Sequence, residues 1–504
     1  MNRKKMILLN SSAVMLTTII NILFGIIEVS LFISKYGSEV NGLKQTGTQL
    51  LSYLSLIEAG IGASYVYSLY KPIAKNDEKK ISELYYGFQK SIRIVVCKML
   101  IVAIIISFIY PLFLQNNNMT YLFMTSVFVL LSIKSIVPYL IAYVPKYMII
   151  AKEQRYKTEI INGVTNALIY VVEIFIIIYT NFTIQILLII CIAISLLSGS
   201  IYYLIMKKIY SIKKIDHCNI DLTPNNMSKD VLVHNISGLV FNSTDNIIIS
   251  VFSNLTNVTI YSNYNLIINQ VTSVFQSIYD GVTASLGIKI INKDNNSYTV
   301  FRELLSFTFI LAAIISSTFI VMINEFVKIW VGQKFVVSYH YVYLWGIILY
   351  CGILLPCIIS ARNACGLYKE SKIFTVIQSI VNLFLTLVLT PYMGICGALI
   401  GTAVARVFIS LPFNYKLVYD KVFVNEKIQW HEMILGLGYF IILSYIEILV
   451  CRVIPFSFIS NSMIKFLLRT FIVSIIGFIA TILFYYCTDM AFKNKVRNII
   501  IKYK

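Results

Sequence analysis

The chain alternates between long apolar runs and short polar segments along almost its whole length. An α-helix of about 20 residues crosses the roughly 30 Å hydrocarbon core of a bilayer, and the apolar runs reach or exceed that length. The pattern therefore predicts an all-α polytopic membrane protein with about fourteen transmembrane helices. The predicted spans are 6–34, 43–70, 92–114, 119–145, 158–180, 185–206, 231–252, 258–286, 303–324, 339–360, 373–390, 396–415, 432–451 and 464–487.

The overall composition supports this class. Hydrophobic residues make up 58% of the 504 residues and charged residues 13%, whereas soluble domains carry about 25% charged residues. The basic, apolar beginning of the chain is like a signal peptide, but its apolar run is too long and no small-residue cleavage site follows. We therefore predict that it is retained as the first span.

The net charge of +19 could indicate a nucleic-acid partner, but the placement of the charges favours a membrane explanation. With the N-terminus inside, 32 of the 42 Lys and Arg residues fall in the inner segments. Cytoplasmic loops of membrane proteins carry such an excess of Lys and Arg. We predict that both termini are cytoplasmic and that nucleic acid is not a partner.

Cysteine and histidine indicate neither a disulfide framework nor a metal site. The nine cysteines are scattered without a CxxC pair, and the four histidines share no ligand spacing. The predicted outer loops are short, and no nucleophile–base constellation is present. An enzyme, such as a membrane polysaccharide polymerase or glycosyltransferase, is therefore disfavoured, and no catalytic residue is predicted.

The two halves of the chain show signs of a parallel repeat. Glu58 in the second span and Asp280 in the eighth are each followed by small residues, and Asn162 and Asn166 match Gln378 and Asn382 in spacing six helices later. An even offset gives both halves the same orientation in the membrane. We predict an N-lobe at 1–210, a cytoplasmic linker at 211–230, a C-lobe at 231–415, and two further helices with a basic cytoplasmic tail at 416–504.

Charged residues inside the predicted spans are the candidate functional residues, because each costs about 2.5–3.5 kcal/mol to insert at the centre of a span. Three cations are candidates for a substrate cavity. Five carboxylates are candidates for ion coupling, through uptake of H⁺ or Na⁺, or for charge pairing. The cations are Lys44, Lys134 and Arg406; the carboxylates are Glu28, Glu58, Glu173, Asp245 and Asp280.

Two interpretations of these charges stay open. Any one of them can be a structural ion pair that fixes helix register. The set as a whole favours a polar translocation cavity, in which the cations neutralise an anionic cargo. A cation or drug antiporter is disfavoured, because unpaired cations repel a cationic cargo.

Several short segments resemble those of the Wzx-type polysaccharide flippases, members of the multidrug/oligosaccharidyl-lipid/polysaccharide exporter superfamily. They run from the first span to the twelfth. The segments are YGSEVNGL (36–43), LIEAGIGAS (56–64), YKPIAKND (70–77), AKEQRYK (151–157), STDNIIIS (243–250) and ARNACGLYKESK (361–372).

The resemblance implies two six-helix lobes around a central cavity plus two C-terminal helices, in a bacterial plasma (inner) membrane. It also implies a transporter that moves an undecaprenyl-pyrophosphate-linked oligosaccharide from the inner to the outer leaflet by alternating access, for O-antigen, capsule or exopolysaccharide assembly. The expected partners are the lipid-linked oligosaccharide and membrane lipids, with a polysaccharide polymerase and a chain-length regulator as further candidates. No cofactor is expected beyond H⁺ or Na⁺ coupling.

Overall fold

In the computed structural model, the regular elements of the described residues are all helices, and no strand occurs among them. The structure describes residues 3–58, 60–114, 119–213, 220–224, 229–291, 296–453, 462–488 and 493. The helices up to residue 252 are α1 (Arg3–Tyr36), α2 (Ser38–Ser52), α3 (Ser55–Glu58), α4 (Ile61–Ala74), α5 (Glu78–Ile109), α6 (Tyr121–Ile141), α7 (Tyr143–Ala151), α8 (Arg155–Tyr179), α9 (Ile184–Ile209), α10 (Lys229–Ser243) and α11 (Asp245–Phe252). They are followed by α12 (Leu255–Ile291), α13 (Ser297–Trp330), α14 (Tyr339–Ala364), α15 (Tyr368–Met393), α16 (Ile395–Val404), α17 (Leu411–Lys421), α18 (Trp430–Val453) and α19 (Ser462–Thr488).

Eleven helical segments of the described residues are long and apolar enough to cross a membrane, and they coincide with eleven of the predicted spans. The other three predicted spans, 43–70, 231–252 and 258–286, are helical too, but they carry more polar side chains. Polar transmembrane helices usually face a protein interior or a wet cavity rather than lipid. The predicted all-α polytopic membrane fold is confirmed.

Two of the interruptions within the predicted spans lie at a glycine and next to a proline, residues that weaken or redirect an α-helix. In the second span, Gly60 adopts the left-handed conformation with φ of +75°, which separates α3 from α4. In the fourth, α6 ends before Ala142 and α7 follows with Pro145 near its start. Proline has no N–H to donate, so the helical hydrogen bond to the carbonyl of Ile141 cannot form.

The chain divides by internal contacts into two units, Met1–Thr259 and Ile260–Lys504. The first has an aromatic and aliphatic core that includes Phe32, Phe88 and Phe128. In the second, Trp345 is fully buried and stacks on Tyr264 with a centroid distance of 4.4 Å. The two units are defined by their internal packing and not by a sequence repeat. The predicted lobe boundary at 211–230 therefore stays a prediction. The basic tail beyond residue 488 lies outside the described residues, apart from Lys493.

The described part of the predicted linker is held against the start of α5. The Asp221 carboxylate forms a 2.8 Å salt bridge with Lys80. The Asp221 backbone carbonyl accepts a hydrogen bond from the Tyr65 hydroxyl at 3.3 Å. Gly87 allows this approach, because a Cβ there would lie 2.0 Å from the Asp221 carbonyl oxygen. The linker is therefore packed on the first unit at this point.

In the second unit, small residues bring α15 and α16 together. A Cβ on Gly397 would lie 2.4 Å from the backbone of Leu389, and one on Gly401 would lie 2.6 Å from the Thr386 hydroxyl. Such contacts are the usual function of small residues between membrane helices. They explain these glycines without a role in transport.

Candidate functional site

A group of four charged side chains lies in the first unit, and its two carboxylates are buried. Lys44 on α2 forms a 2.7 Å salt bridge with Glu28 on α1. The ammonium also lies 4.2 Å from the centroid of the Phe32 ring, a distance at which a cation is attracted to an aromatic face. The Glu28 side chain is 6% exposed and that of Lys44 14%, so the pair is almost withdrawn from solvent.

The second pair joins Lys134 on α6 to Glu173 on α8, with 3.8 Å between Nζ and Oε1. Glu173 is buried and also accepts a hydrogen bond from the Cys191 thiol on α9 at 3.3 Å. Its carboxylate lies within electrostatic range of both Glu28 and Lys44. We call Glu28, Lys44, Lys134 and Glu173 the charged cluster.

The charged cluster carries two positive and two negative groups, so its formal charge is zero. Burying such groups is tolerated only when they are paired, because each isolated ion costs several kcal/mol to desolvate. The two pairs differ in tightness, since Lys44 is hydrogen-bonded to its partner whereas Lys134 is 3.8 Å away and 29% exposed. Lys134 is therefore the cation that a new anion could recruit more easily.

Glu58 lies apart from the charged cluster, at the end of α3. Its carboxylate accepts hydrogen bonds from the backbone N–H of Gly62, at 3.2 Å, and from the Tyr143 hydroxyl. The first of these bonds satisfies an N–H at the start of α4 that has no helical partner. The structure thus gives Glu58 a role in holding the helix interruption.

Asp245 is the first residue of α11 and is buried at 6% exposure. It interacts electrostatically with the phenol of Tyr53, which follows the last residue of α2. Asp245 therefore lies near the C-terminal end of α2, in the first unit. It is not part of the charged cluster.

The two predicted residues of the second unit occupy different surroundings. Asp280 is exposed on α12 and accepts a hydrogen bond from Gln276 at 2.7 Å. Arg406 is half-buried in a π-helical turn between α16 and α17, and it donates to the carbonyl of Ile348 at 3.0 Å. Of the three predicted cations, Lys44 and Lys134 lie together in the first unit, and Arg406 lies in the second.

The predicted correspondence between Glu58 and Asp280 does not extend to their local backbone. Glu58 ends a helix beside the left-handed Gly60, whereas Asp280 and Gly281 lie within the continuous helix α12. The side chains of the small residues 284 and 285 lie outside those that the structure describes.

Sequence reasoning missed several buried contacts of charged residues. The Arg302 guanidinium on α13 lies 2.5 Å from Glu432, in the first turn of α18, and 2.8 Å from Gln429, which directly precedes that helix. Glu447 on α18 is fully buried and accepts a hydrogen bond from Ser317 at 3.0 Å. These partners are 127 to 130 residues apart, so local patterns give no signal for them.

Comparison with known proteins identifies the fold. No known family profile matches the sequence, and no curated protein matches it significantly. The lipid II flippase MurJ in an inward closed conformation is similar, with a TM-score of 0.71 and 13% identity over 95% of this chain and 99% of that one. An inward-facing multidrug resistance MATE family transporter of the MOP superfamily has a TM-score of 0.63 and 12% identity, over 82% and 98%. An outward-facing MATE family transporter has a TM-score of 0.55 and 11% identity, over 84% and 97%.

This chain has the fold of these transporters. The MurJ match leaves 5% of the chain uncovered, about 25 residues. Helices α18 and α19 contain 24 and 27 residues, so the match must include part of this C-terminal pair. The fold places the charged cluster in the N-terminal unit of a transporter-like helical bundle.

Proposed function

We propose that the protein is a flippase that moves an undecaprenyl-pyrophosphate-linked oligosaccharide from the inner to the outer leaflet by alternating access, for surface polysaccharide assembly. The observation that carries this proposal is the pair of lysines, Lys44 and Lys134, that meet buried carboxylates within a fold like that of a lipid II flippase. The segments that resemble Wzx-type flippases, YGSEVNGL among them, support the same class of cargo.

In the proposed mechanism, the cargo pyrophosphate recruits Lys134. This ammonium is close enough to Glu173 for attraction but is not hydrogen-bonded to it, so an anion gains a charge-assisted contact at little cost. When Lys134 turns to the pyrophosphate, Glu173 loses its compensating cation. A proton or Na⁺ taken up there restores neutrality, which would link cargo binding to ion uptake.

A drug antiporter is the second candidate, because MATE family transporters in two conformations share the fold. Each of these structures covers less of this chain than MurJ does, 82–84% against 95%. Lys134, once drawn away from Glu173, attracts an anion and not a cationic drug. The flippase is the better supported of the two.

Leaflet-resolved transport in proteoliposomes tests the proposal, with a defined undecaprenyl-pyrophosphate-linked oligosaccharide as cargo. Lys134→Gln/Glu173→Gln removes one cation and one anion together, so the buried site stays neutral. We expect transport to fall about 10–100-fold, the value of one charge-assisted hydrogen bond. Lys98→Gln, at an exposed lysine of α5, is the matched control and should transport normally.

The same proteoliposomes distinguish the candidates. Wild-type transport by a stably folded Lys134→Gln/Glu173→Gln variant would refute the role of Lys134 in the cargo site. Uptake of a cationic dye against a proton gradient, without any flipping of the lipid-linked oligosaccharide, would establish the antiporter instead.

A further inference from the structure

A groove on the first unit lies outside the charged cluster. It is a cavity of about 200 Å³ between α5, the α6–α7 junction and α9. Its polar lining comes from Gln89, Arg93, Tyr139 and Tyr203, and the remaining residues that line it are apolar. None of these residues takes part in the proposed transport mechanism.

One side of the groove is a polar stripe along α5. Tyr85, Gln89 and Arg93 are four residues apart and so share a helix face, and the Gln89 amide donates to the Tyr85 hydroxyl at 2.6 Å. Arg93 is exposed, and among the described residues no carboxylate lies within 4.0 Å of it. The groove therefore contains a guanidinium that forms no ion pair with the described part of the protein.

The other side is the junction at which α6 gives way to α7. Ile141 lines the groove, and its carbonyl lacks the usual helical donor because residue 145 is proline. Backbone polar groups at membrane depth need another partner or water. The junction thus leaves one backbone carbonyl, that of Ile141, without its usual helical donor beside the groove.

The outer rim of the groove is formed by the Leu140 side chain and the Tyr203 ring, and it faces outward. Leu140 is 56% exposed and Tyr203 47%, while Ile92 and Val96 form a buried floor. Arg93 and Val96 lie at the predicted cytoplasmic end of the third span. A phospholipid has an anionic phosphate and apolar acyl chains. A cation beside an outward-facing apolar surface at this depth can bind both parts.

We propose that this groove binds the headgroup of an anionic phospholipid. The guanidinium of Arg93 holds the phosphate through charge-assisted hydrogen bonds, and the hydroxyls of Tyr139 and Tyr203 and the Gln89 amide contact the polar headgroup. The acyl chains lie along Leu140 and the apolar surface of α9. The assignment to the cytoplasmic leaflet rests on the predicted orientation of the chain.

Native mass spectrometry of the full-length, delipidated protein tests this proposal. The protein is titrated with phosphatidylglycerol and, separately, with phosphatidylcholine of the same acyl chains. We expect the first bound phosphatidylglycerol to bind about fivefold more tightly, the effect of one basic residue near an anionic lipid. Arg93→Gln should remove the preference, Arg93→Lys should keep part of it, and Lys98→Gln on the same helix should keep it all.

An unchanged preference in Arg93→Gln would overturn the proposal, and so would an equal loss in Lys98→Gln, which would indicate a nonspecific effect of charge. Loss of the preference in excess inorganic phosphate would show a site for free anions instead of lipid. Size-exclusion profiles and thermal unfolding check that each variant is folded. If Arg93→Gln does not fold, the partial loss of preference expected in Arg93→Lys tests the proposal. Because no transport is measured, failure here is distinct from failure of the proposed function.

Discussion

At the residue scale, the salt bridge between Lys44 and Glu28 shows how a buried charge depends on its partner. Their 2.7 Å contact is nearly withdrawn from solvent. Removing one member of such a pair leaves an uncompensated ion, which typically costs 3–5 kcal/mol, whereas replacing both by neutral groups is often nearly neutral. The stability of this site should therefore depend on charge balance more than on either residue alone.

We predict that Lys44→Gln lowers the free energy of unfolding by about 3–5 kcal/mol, and that Glu28→Gln/Lys44→Gln recovers most of the loss. Chemical unfolding in detergent, followed by far-ultraviolet circular dichroism, measures both values. Equal destabilisation by the single and the double variant would show that the pair acts through packing and not through charge.

At the element scale, the interruption between α3 and α4 depends on one backbone conformation. Gly60 has φ of +75°, a region that costs an L-residue with a Cβ roughly 1–2 kcal/mol. Glu58 then accepts a hydrogen bond from the freed N–H of Gly62. A glycine and a carboxylate two residues apart thus explain why the second span is broken.

Gly60→Ala should destabilise the protein by about 1–2 kcal/mol because of this strain. Gly281→Ala is the matched control: Gly281 lies within α12, and a Cβ added there would meet no other atom within 4 Å, so alanine should stabilise the helix by up to about 1 kcal/mol. Thermal unfolding of both variants in the same detergent measures the difference. A Gly60→Ala variant as stable as Gly281→Ala would contradict the role of the left-handed residue.

The docked linker makes a second prediction at this scale. Burial raises the pKa of Asp221, but the hydrogen bonds from Lys80 and Thr223 outweigh burial and lower it below the ordinary value of 3.8. A lowered carboxyl pKa means that docking is fully stabilised above about pH 3.8 and loses this stabilisation as the pH falls through the folded value. The contribution of Asp221 to the stability of the docked linker should therefore be constant between pH 5 and 8.

Asp221→Asn removes this charge at every pH. An exposed ion pair contributes up to about 1 kcal/mol, so we expect tryptic cleavage after Lys213 to become at most about fivefold faster at pH 8. Asp420→Asn, at an exposed aspartate on α17, should leave the rate unchanged. Cleavage of Asp221→Asn at the wild-type rate would show that the backbone contacts of the linker, and not this charge, hold it in place.

At the scale of the whole molecule, the distribution of Lys and Arg predicts the orientation of the chain. Single cysteines introduced into a cysteine-free variant report the side of the membrane on which each loop lies. We expect labels at Asn76 and Glu153 to react only from the cytoplasmic side, and a label at Gln333 to react from the outside. Reaction of Gln333→Cys from the cytoplasmic side would refute the predicted topology.

The sequence by itself determined the class of protein, the approximate spans and which charged residues lie within them. Insertion into a membrane is decided by length and composition, which are local properties, so apolar runs alone predicted the helices. Intramembrane charge is also visible locally, and for this reason Glu28, Lys44, Lys134 and Glu173 could be named as candidates before their contacts were known.

Only the tertiary structure decided which of these charges meet. Glu28 and Lys44 are 16 residues apart and pair across two helices, whereas Arg302 and Glu432 are 130 residues apart and pair through α13 and α18. The breaks at Gly60 and at the α6–α7 junction likewise appear only when the backbone is placed. Pairing and helix breaks depend on the rotation and depth of each helix against its neighbours, and a one-dimensional pattern of apolar and polar residues does not contain that information.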